Sequence, residues 1–238
     1  MLRVEIRPGT SDRQVFAQVF LREDYRLERL ARHAELSALY RQICDSGRTP
    51  LIIDCGANNG MATSYFTDAY PAARIIAVEP DGGNLKALRR NTDVRRVKIV
   101  QGAVASTSAR LSIQDPTAEA WAFRVSRDPG GDVQAFTVRD LLALEPDSVP
   151  FMIKIDIEGF EEDLFSANTG WIARFPLLVV ELHDWMLPGQ RNSRSFLAAM
   201  AAADRDFVFH GENVFSIAND RRPPEATPLH LAGSTATS

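Results

Sequence analysis

The stretch Leu51 to Gly60, LIIDCGANNG, and the run Arg74 to Glu79, RIIAVE, about twenty residues further on, constrain the fold more than any other feature of the chain. An apolar run closes on an acid, a glycine-containing turn follows, and a second apolar run closes on another acid. Short apolar runs bounded by turn signals are strands buried on both faces. A strand, a turn, a helix and a second such strand make a right-handed parallel crossover, and the rest of the chain must build on that unit.

The pattern repeats. Met61 to Ala69 is expected as a helix ended by Tyr70-Pro71, Gly82 to Asn91 as the next helix, and Val97 to Val104 as a third strand. Pro150 to Asp156 reads as a fourth strand closing on an acid, followed by a helix from about Glu161 to Ala167. Phe175 to Glu181 is the fifth strand, Ser193 to Ala203 a helix, and Phe207 to Phe209 with Val214 to Ile217 a final hairpin. Between the third and fourth strands, Ala109 to Val138 carries short alternating runs separated by Asp-Pro and Pro-Gly-Gly turns, expected as a β-hairpin-like insertion. Thr137 to Leu144 is then helical, with Thr137 and Asp140 at the spacing of a capping box.

Before the first core strand, Leu2, Val4 and Ile6 alternate with charged residues, which predicts a short edge strand. Helical spacing from Ser11 to Asp45 predicts two helices, able to cap the sheet or close over a ligand, with Phe16, Phe20 and Tyr25 as candidate pocket residues, although apolar stripes at this spacing more often simply pack against a core. The organisation expected is an N-terminal strand and helical cap over 1–47, a core domain over 48–218, and a loosely held tail over 219–238 that is rich in proline and small polar residues.

A net charge of −4 argues against nucleic acid as a partner. Two cysteines, Cys44 and Cys55, cannot build a disulfide framework, and no stretch approaches the length of a membrane span. The expectation is a cytoplasmic protein with no membrane association; a homodimer stays open.

In an open parallel sheet ligands bind beyond the carboxyl ends of the strands, where Asp54, Glu79, Asp156 and Glu181 all fall. The loop Gly56-Ala57-Asn58-Asn59-Gly60 turns sharply with residues that tolerate the left-handed region. Glu79 at the next strand end suits the two hydroxyls of a ribose. A nicotinamide cofactor would call for GxGxxG, but asparagine stands at the second glycine. Asp54 would repel a pyrophosphate and welcome an ammonium group. Both departures favour S-adenosylmethionine over a nicotinamide-dependent oxidoreductase.

The motifs DCGANNG, AVEP (Ala77 to Pro80), GAV (Gly102 to Val104), IKIDIEGFE (Ile153 to Glu161) and VVELH (Val179 to His183) resemble, in order, those of the FkbM family of S-adenosylmethionine-dependent methyltransferases. The resemblance implies a Rossmann-like class I α/β fold, a seven-stranded, mostly parallel sheet whose last strand is antiparallel. It also implies O-methylation of a small-molecule hydroxyl on a sugar or natural-product scaffold. Cofactor-binding roles then fall on Asp54 and the loop residues Gly56, Ala57, Asn58 and Gly60 for the methionine part, Glu79 for the ribose, and Gly102 and Ala103 for the adenine.

Methyl transfer to oxygen needs alignment and removal of the hydroxyl proton. His183 is the residue most readily poised as a base near neutral pH, with Asp156 and Glu158 beside it to orient it, hold hydroxyls or accept the proton themselves. A divalent metal on Asp156, Glu181 and His183 is a second route, less favoured than metal-free catalysis. Lys154, inside an apolar strand, is expected to pair with an acid. Glu158 could instead fix the turn before Gly159, and Trp121, Phe123 and Trp185 are candidates for stacking on the acceptor. A protein that binds the cofactor without turnover remains an alternative.

Overall fold

A computed structural model describes residues 3–114 and 124–219. The apolar runs become strands β1 (Thr49–Cys55), β2 (Arg74–Glu79) and β3 (Val97–Gln101), with α3 (Met61–Ala69) and α4 (Gly82–Asn91) between them. Further along lie β8 (Ser148–Ile155), β9 (Leu177–Glu181), β10 (Arg205–His210) and β11 (Asn213–Ala218). They form one sheet in the order β10-β11-β9-β8-β1-β2-β3. All neighbours in it are parallel except β11, which runs against both β9 and β10. This is the Rossmann-like class I methyltransferase arrangement. Strand order reverses at β1, so the crevice between the carboxyl ends of β1 and β8 is where this sheet opens to a ligand.

Each strand sends alternate residues to opposite faces. Ile52 joins Met61, Phe66, Leu88 and Phe151 in one core layer, while Leu51, Ile53 and Cys55 join Leu141, Phe196 and Met200 in the other. The second layer is covered by α5 (Val138–Ala143), α6 (Glu161–Leu164) and α7 (Ser193–Ala201). The helix starts follow from local chemistry. Asp81 accepts from the amide of Asn84 at 2.7 Å to begin α4, and Thr137 and Asp140 form the expected reciprocal capping box of α5.

The expected third strand is divided at Gly102. Beyond β3 the chain turns into β4 (Ala103–Val104), which leaves the main sheet and pairs with β7 (Val133–Phe136). With β5 (Ala109–Gln114) and β6 (Arg124–Arg127) they make a second sheet, β4-β7-β5-β6, larger than the expected hairpin. Trp121 and Phe123 lie outside the described residues, as does the expected tail from 220 onward.

The N-terminal edge strand is not formed over residues 3–7. Side chains of α4 and its own helix satisfy this segment instead. The amide of Glu5 donates to Asn91 at 2.6 Å, and Arg7 donates through its amide and guanidinium to Asp12 and through the guanidinium to Asn84. The two expected helices take the form of α1 (Asp12–Phe16), continued as a π-helical turn over Ala17–Leu21, and α2 (His33–Asp45). Among the described residues, no helix is long and apolar enough to cross a membrane.

Candidate active site

Two connected hollows lie at the carboxyl ends of the strands. The narrower is walled by Gly56, Asn58, Glu79, Pro80, Gly102 and Ala103 on the β1–β3 side and by Asp156, Ile157 and Glu158 after β8. The larger, about 480 Å³, is lined by Gln14, Gln18 and Tyr25 from the N-terminal segment, by Ala57, and by Lys154, Glu181, His183, Trp185 and Glu212. Gly56, Asn58, Asp156 and Glu158 border both.

The glycine loop owes its shape to two positions with positive φ. At Gly56, φ is 77° and a Cβ would lie 1.8 Å from the Asp156 carbonyl oxygen, so only glycine lets β1 turn this close to the end of β8. At Gly60, φ is 84° and a Cβ would strike Leu88, which sets α3 tightly against α4. Gly60 therefore shapes the turn without lining either hollow. Asn58 also has positive φ, 49°, and its buried Oδ1 has no hydrogen-bond partner among the described residues.

Glu79 is held in place by donors. Its Oε2 accepts from the Asn58 amide at 2.9 Å, and its Oε1 from the Asp81 amide at 3.0 Å and the Asn84 side chain at 3.3 Å. Burial nonetheless raises its pKa to about 7.

Asp54 sits deeper than a ligand-facing acid. It is fully buried, accepts from the Thr63 hydroxyl at 2.6 Å, lies 3.3 Å from the Lys154 ammonium, and lines neither hollow. The two pair because they occupy matched positions on adjacent strands β1 and β8. Lys154 also donates to the Gly56 carbonyl at 2.7 Å and lies 3.2 Å from Asp156, which bears out its expected pairing with acids. Burial opposes its charge, but the carboxylates of Asp156 and Asp54 raise its pKa well above the ordinary lysine range.

On the far rim His183 is 1% exposed and ringed by acids. Its Nδ1 is 3.1 Å from Glu161 Oε1, while its Nε2 lies 3.4 Å from Glu158, 3.6 Å from Asp156 and 3.8 Å from Glu181. Burial works against an imidazolium, yet the hydrogen bond and charge of Glu161, with Asp156 and Glu158, raise its pKa to about 10. Burial, then the charge of Asp156, raises Glu158 to about 8 and Glu181 to about 9. Crowding at the rim thus favours the protonated form of each of these three groups.

Gly56, Ala57, Asn58, Glu79, Gly102 and Ala103 thus line the paired hollows with Asp156, Glu158 and His183, whereas Asp54 and Gly60 stand behind them. Of the three aromatics named as pocket candidates, Tyr25 lines the larger hollow, while Phe16 and Phe20, their rings tilted and 5.1 Å apart, pack against the core as ordinary helix packing would have them. Trp185 lies at its edge, 60% exposed. Glu161 had no role assigned from sequence. It stands at the first position of α6, where an acid ordinarily signals only helix polarity. Its Oε1 in fact joins the Ile157 amide, at 3.0 Å, to His183.

The family model described as the methyltransferase FkbM domain matches residues 54–209. The chain belongs to the FkbM methyltransferase family. No curated protein matches its sequence. Among solved structures, this FkbM methyltransferase is similar to the N-terminal domain of human METTL16 in complex with SAH, at 11% identity and a TM-score of 0.46, covering 91% of this chain and 74% of that one. It is also similar to a methyltransferase from Geobacter sulfurreducens, at 16% identity and a TM-score of 0.40, covering 81% and 86%. The plantazolicin methyltransferase BpumL in complex with SAH shows 11% identity and a TM-score of 0.40, covering 84% of this chain and 74% of that one. As an FkbM methyltransferase, the protein is an enzyme dependent on S-adenosylmethionine.

Proposed function

We propose that this FkbM methyltransferase transfers a methyl group to a hydroxyl oxygen of a small, polar acceptor such as a sugar or a hydroxylated natural-product scaffold. One observation carries the reading: a cavity of about 480 Å³ with polar walls shares Gly56, Asn58, Asp156 and Glu158 with the cleft that ends on Glu79. Its volume falls in the range of roughly 300 to 1,000 Å³ common for small-molecule sites. Gln14, Gln18, Glu181 and Glu212 offer donors and acceptors to a molecule rich in hydroxyls.

The narrower cleft fits S-adenosylmethionine. Glu79 is an oriented acceptor for ribose hydroxyls, and Gly102 and Ala103 present small surfaces suited to a flat base. Asn58 borders both hollows, and its buried, unpartnered Oδ1 suits a donor on the methionine part. When bound, the cofactor supplies a methyl group already activated by its sulfonium. SAH in the METTL16 and BpumL complexes is in keeping with such a cofactor.

The remaining work is positional and acid–base. Lys154 anchors Asp156 and the Gly56 carbonyl together, which holds the acceptor side of the site in register with the glycine loop. Asp156, about a quarter exposed on its side chain, accepts a hydrogen bond from the acceptor hydroxyl and takes its proton as the new bond forms. His183, with Nδ1 3.1 Å from Glu161 Oε1, holds its Nε2 among the rim acids Glu158, Asp156 and Glu181.

Methyl transfer to a panel of sugars and hydroxylated natural products, read as SAH release and product mass, tests this reading. Transfer to nitrogen or carbon acceptors with none to hydroxyls would sink it. The choice between cofactors is checked by calorimetry with SAH and NADH: SAH should bind and NADH should not.

A further inference from the structure

We propose that the rim of the larger cavity binds one divalent cation through Asp156, Glu158 and His183. The inference rests on the reading of this rim as the acceptor side of the site. One oxygen from each carboxylate and one imidazole nitrogen lie within 4.8 Å of one another. The separations from His183 Nε2 to Glu158 and Asp156, 3.4 and 3.6 Å, approach the roughly 3.0 to 3.4 Å between donors that share one cation at bonds of about 2.1 Å. Glu181, 3.8 Å from the same nitrogen, is close enough to join them.

Acidic residues alone would not make a site; the histidine supplies the independent observation. It is 1% exposed, lines the cavity, and its Nε2 makes no hydrogen bond among the described residues. Its Nδ1 faces Glu161 Oε1, which is itself pinned by the Ile157 amide. A histidine that ligates a metal characteristically donates its other ring N–H to a carboxylate, which fixes the tautomer and aims the free nitrogen at the ion. Glu161, at 0% exposure, occupies that supporting position.

The charge balance points the same way. Asp156, Glu158, Glu181 and Glu212 all line the cavity, while the Lys154 ammonium is committed to Asp54, Asp156 and the Gly56 carbonyl. Two or three carboxylates with one imidazole suit a hard, oxygen-preferring divalent ion of the Mg²⁺ or Mn²⁺ type better than a thiophilic one. Such an ion would stand at the junction of the two hollows, where an acceptor hydroxyl could join its ligands.

Mn²⁺ titrated into chelator-treated full-length protein, without cofactor or acceptor, and followed by electron paramagnetic resonance, should fill one site per chain. Glu158→Gln and His183→Ala should each weaken it on the order of 10- to 100-fold or more, while Glu79→Gln, on the cofactor side, leaves it unchanged. Should His183→Ala fail to fold, Glu158→Gln carries the test. No Mn²⁺ binding, or equal affinity in wild type and Glu158→Gln, overturns the proposal. Hydroxyl methylation that persists without the ion would still leave the methyl-transfer reading standing, so the two fail separately.

Discussion

The two ends of the site use carboxylates in opposite ways. At the end of β2, Glu79 stands among uncharged donors, two backbone amides and one side-chain amide, and keeps a single geometry. At the ends of β8 and β9, Asp156, Glu158, Glu161 and Glu181 crowd around His183, with Lys154 behind Asp156. In the proposed role of holding a neutral ribose, Glu79 needs orientation, and amide dipoles provide it at little electrostatic cost. In the proposed role of moving a proton, the rim needs titratable groups close together, and their coupling makes it sensitive to anything cationic that enters.

The contrast can be broken most forcefully at Lys154. Replacing it by methionine leaves Asp54, fully buried, with the Thr63 hydroxyl as its remaining partner, and urea unfolding should show a loss of about 3–5 kcal/mol. A loss below about 1 kcal/mol would mean the lysine is not what compensates that charge. Asp156→Asn keeps the shape of the rim but removes the proposed proton acceptor, so the rate of hydroxyl methylation should fall on the order of 10²- to 10⁴-fold with SAH affinity little changed. An unchanged rate would move the base elsewhere on the rim.

The cofactor end should respond more gently. Glu79→Gln removes charge-assisted hydrogen bonds worth about 1.5–3 kcal/mol, so SAH affinity measured by calorimetry should drop roughly 10- to 100-fold. pH sharpens this further. Burial raises Glu79 to about 7, so the neutral acid's contribution to stability is present below its unfolded pKa of 4.5 and lost as pH rises through about 7. On the proposed ribose role, binding has the opposite sign, because hydroxyl donors favour the carboxylate. SAH affinity should rise between pH 6 and 8 in wild type and stay flat in Glu79→Gln. The smallest effect is expected outside both ends: Thr137→Ala removes the capping box of α5, costing about 1 kcal/mol of stability and leaving SAH binding as it was.

Much of the framework is legible in the sequence. The apolar runs, the glycine turn and the cap at Thr137 are local patterns, and β1, β2, α3, α4 and α5 follow them closely. The misreadings arose where long-range partners intervened. Residues 3–7 alternate like a strand, but their polar groups are taken by Asp12, Asn84 and Asn91. Val97 to Val104 reads as one run, yet Gly102 lets the chain leave the main sheet and pair Ala103 with Ala135. Asp54 was expected to meet the ammonium of a ligand, and the ammonium it meets is that of Lys154.

By itself, then, the sequence determined the order of strands and helices, the family, and the acids that end each core strand, because periodicity and turn chemistry act between near neighbours. Only the tertiary structure decided what each acid does. Register across β1 and β8 sets Asp54 against Lys154, and folding brings Asp156, Glu158, Glu161 and Glu181 around one buried histidine. Charge and desolvation act through space, over a few ångströms between residues far apart in the chain, so the same letters could have spelled either a quiet binding acid or a proton-holding rim.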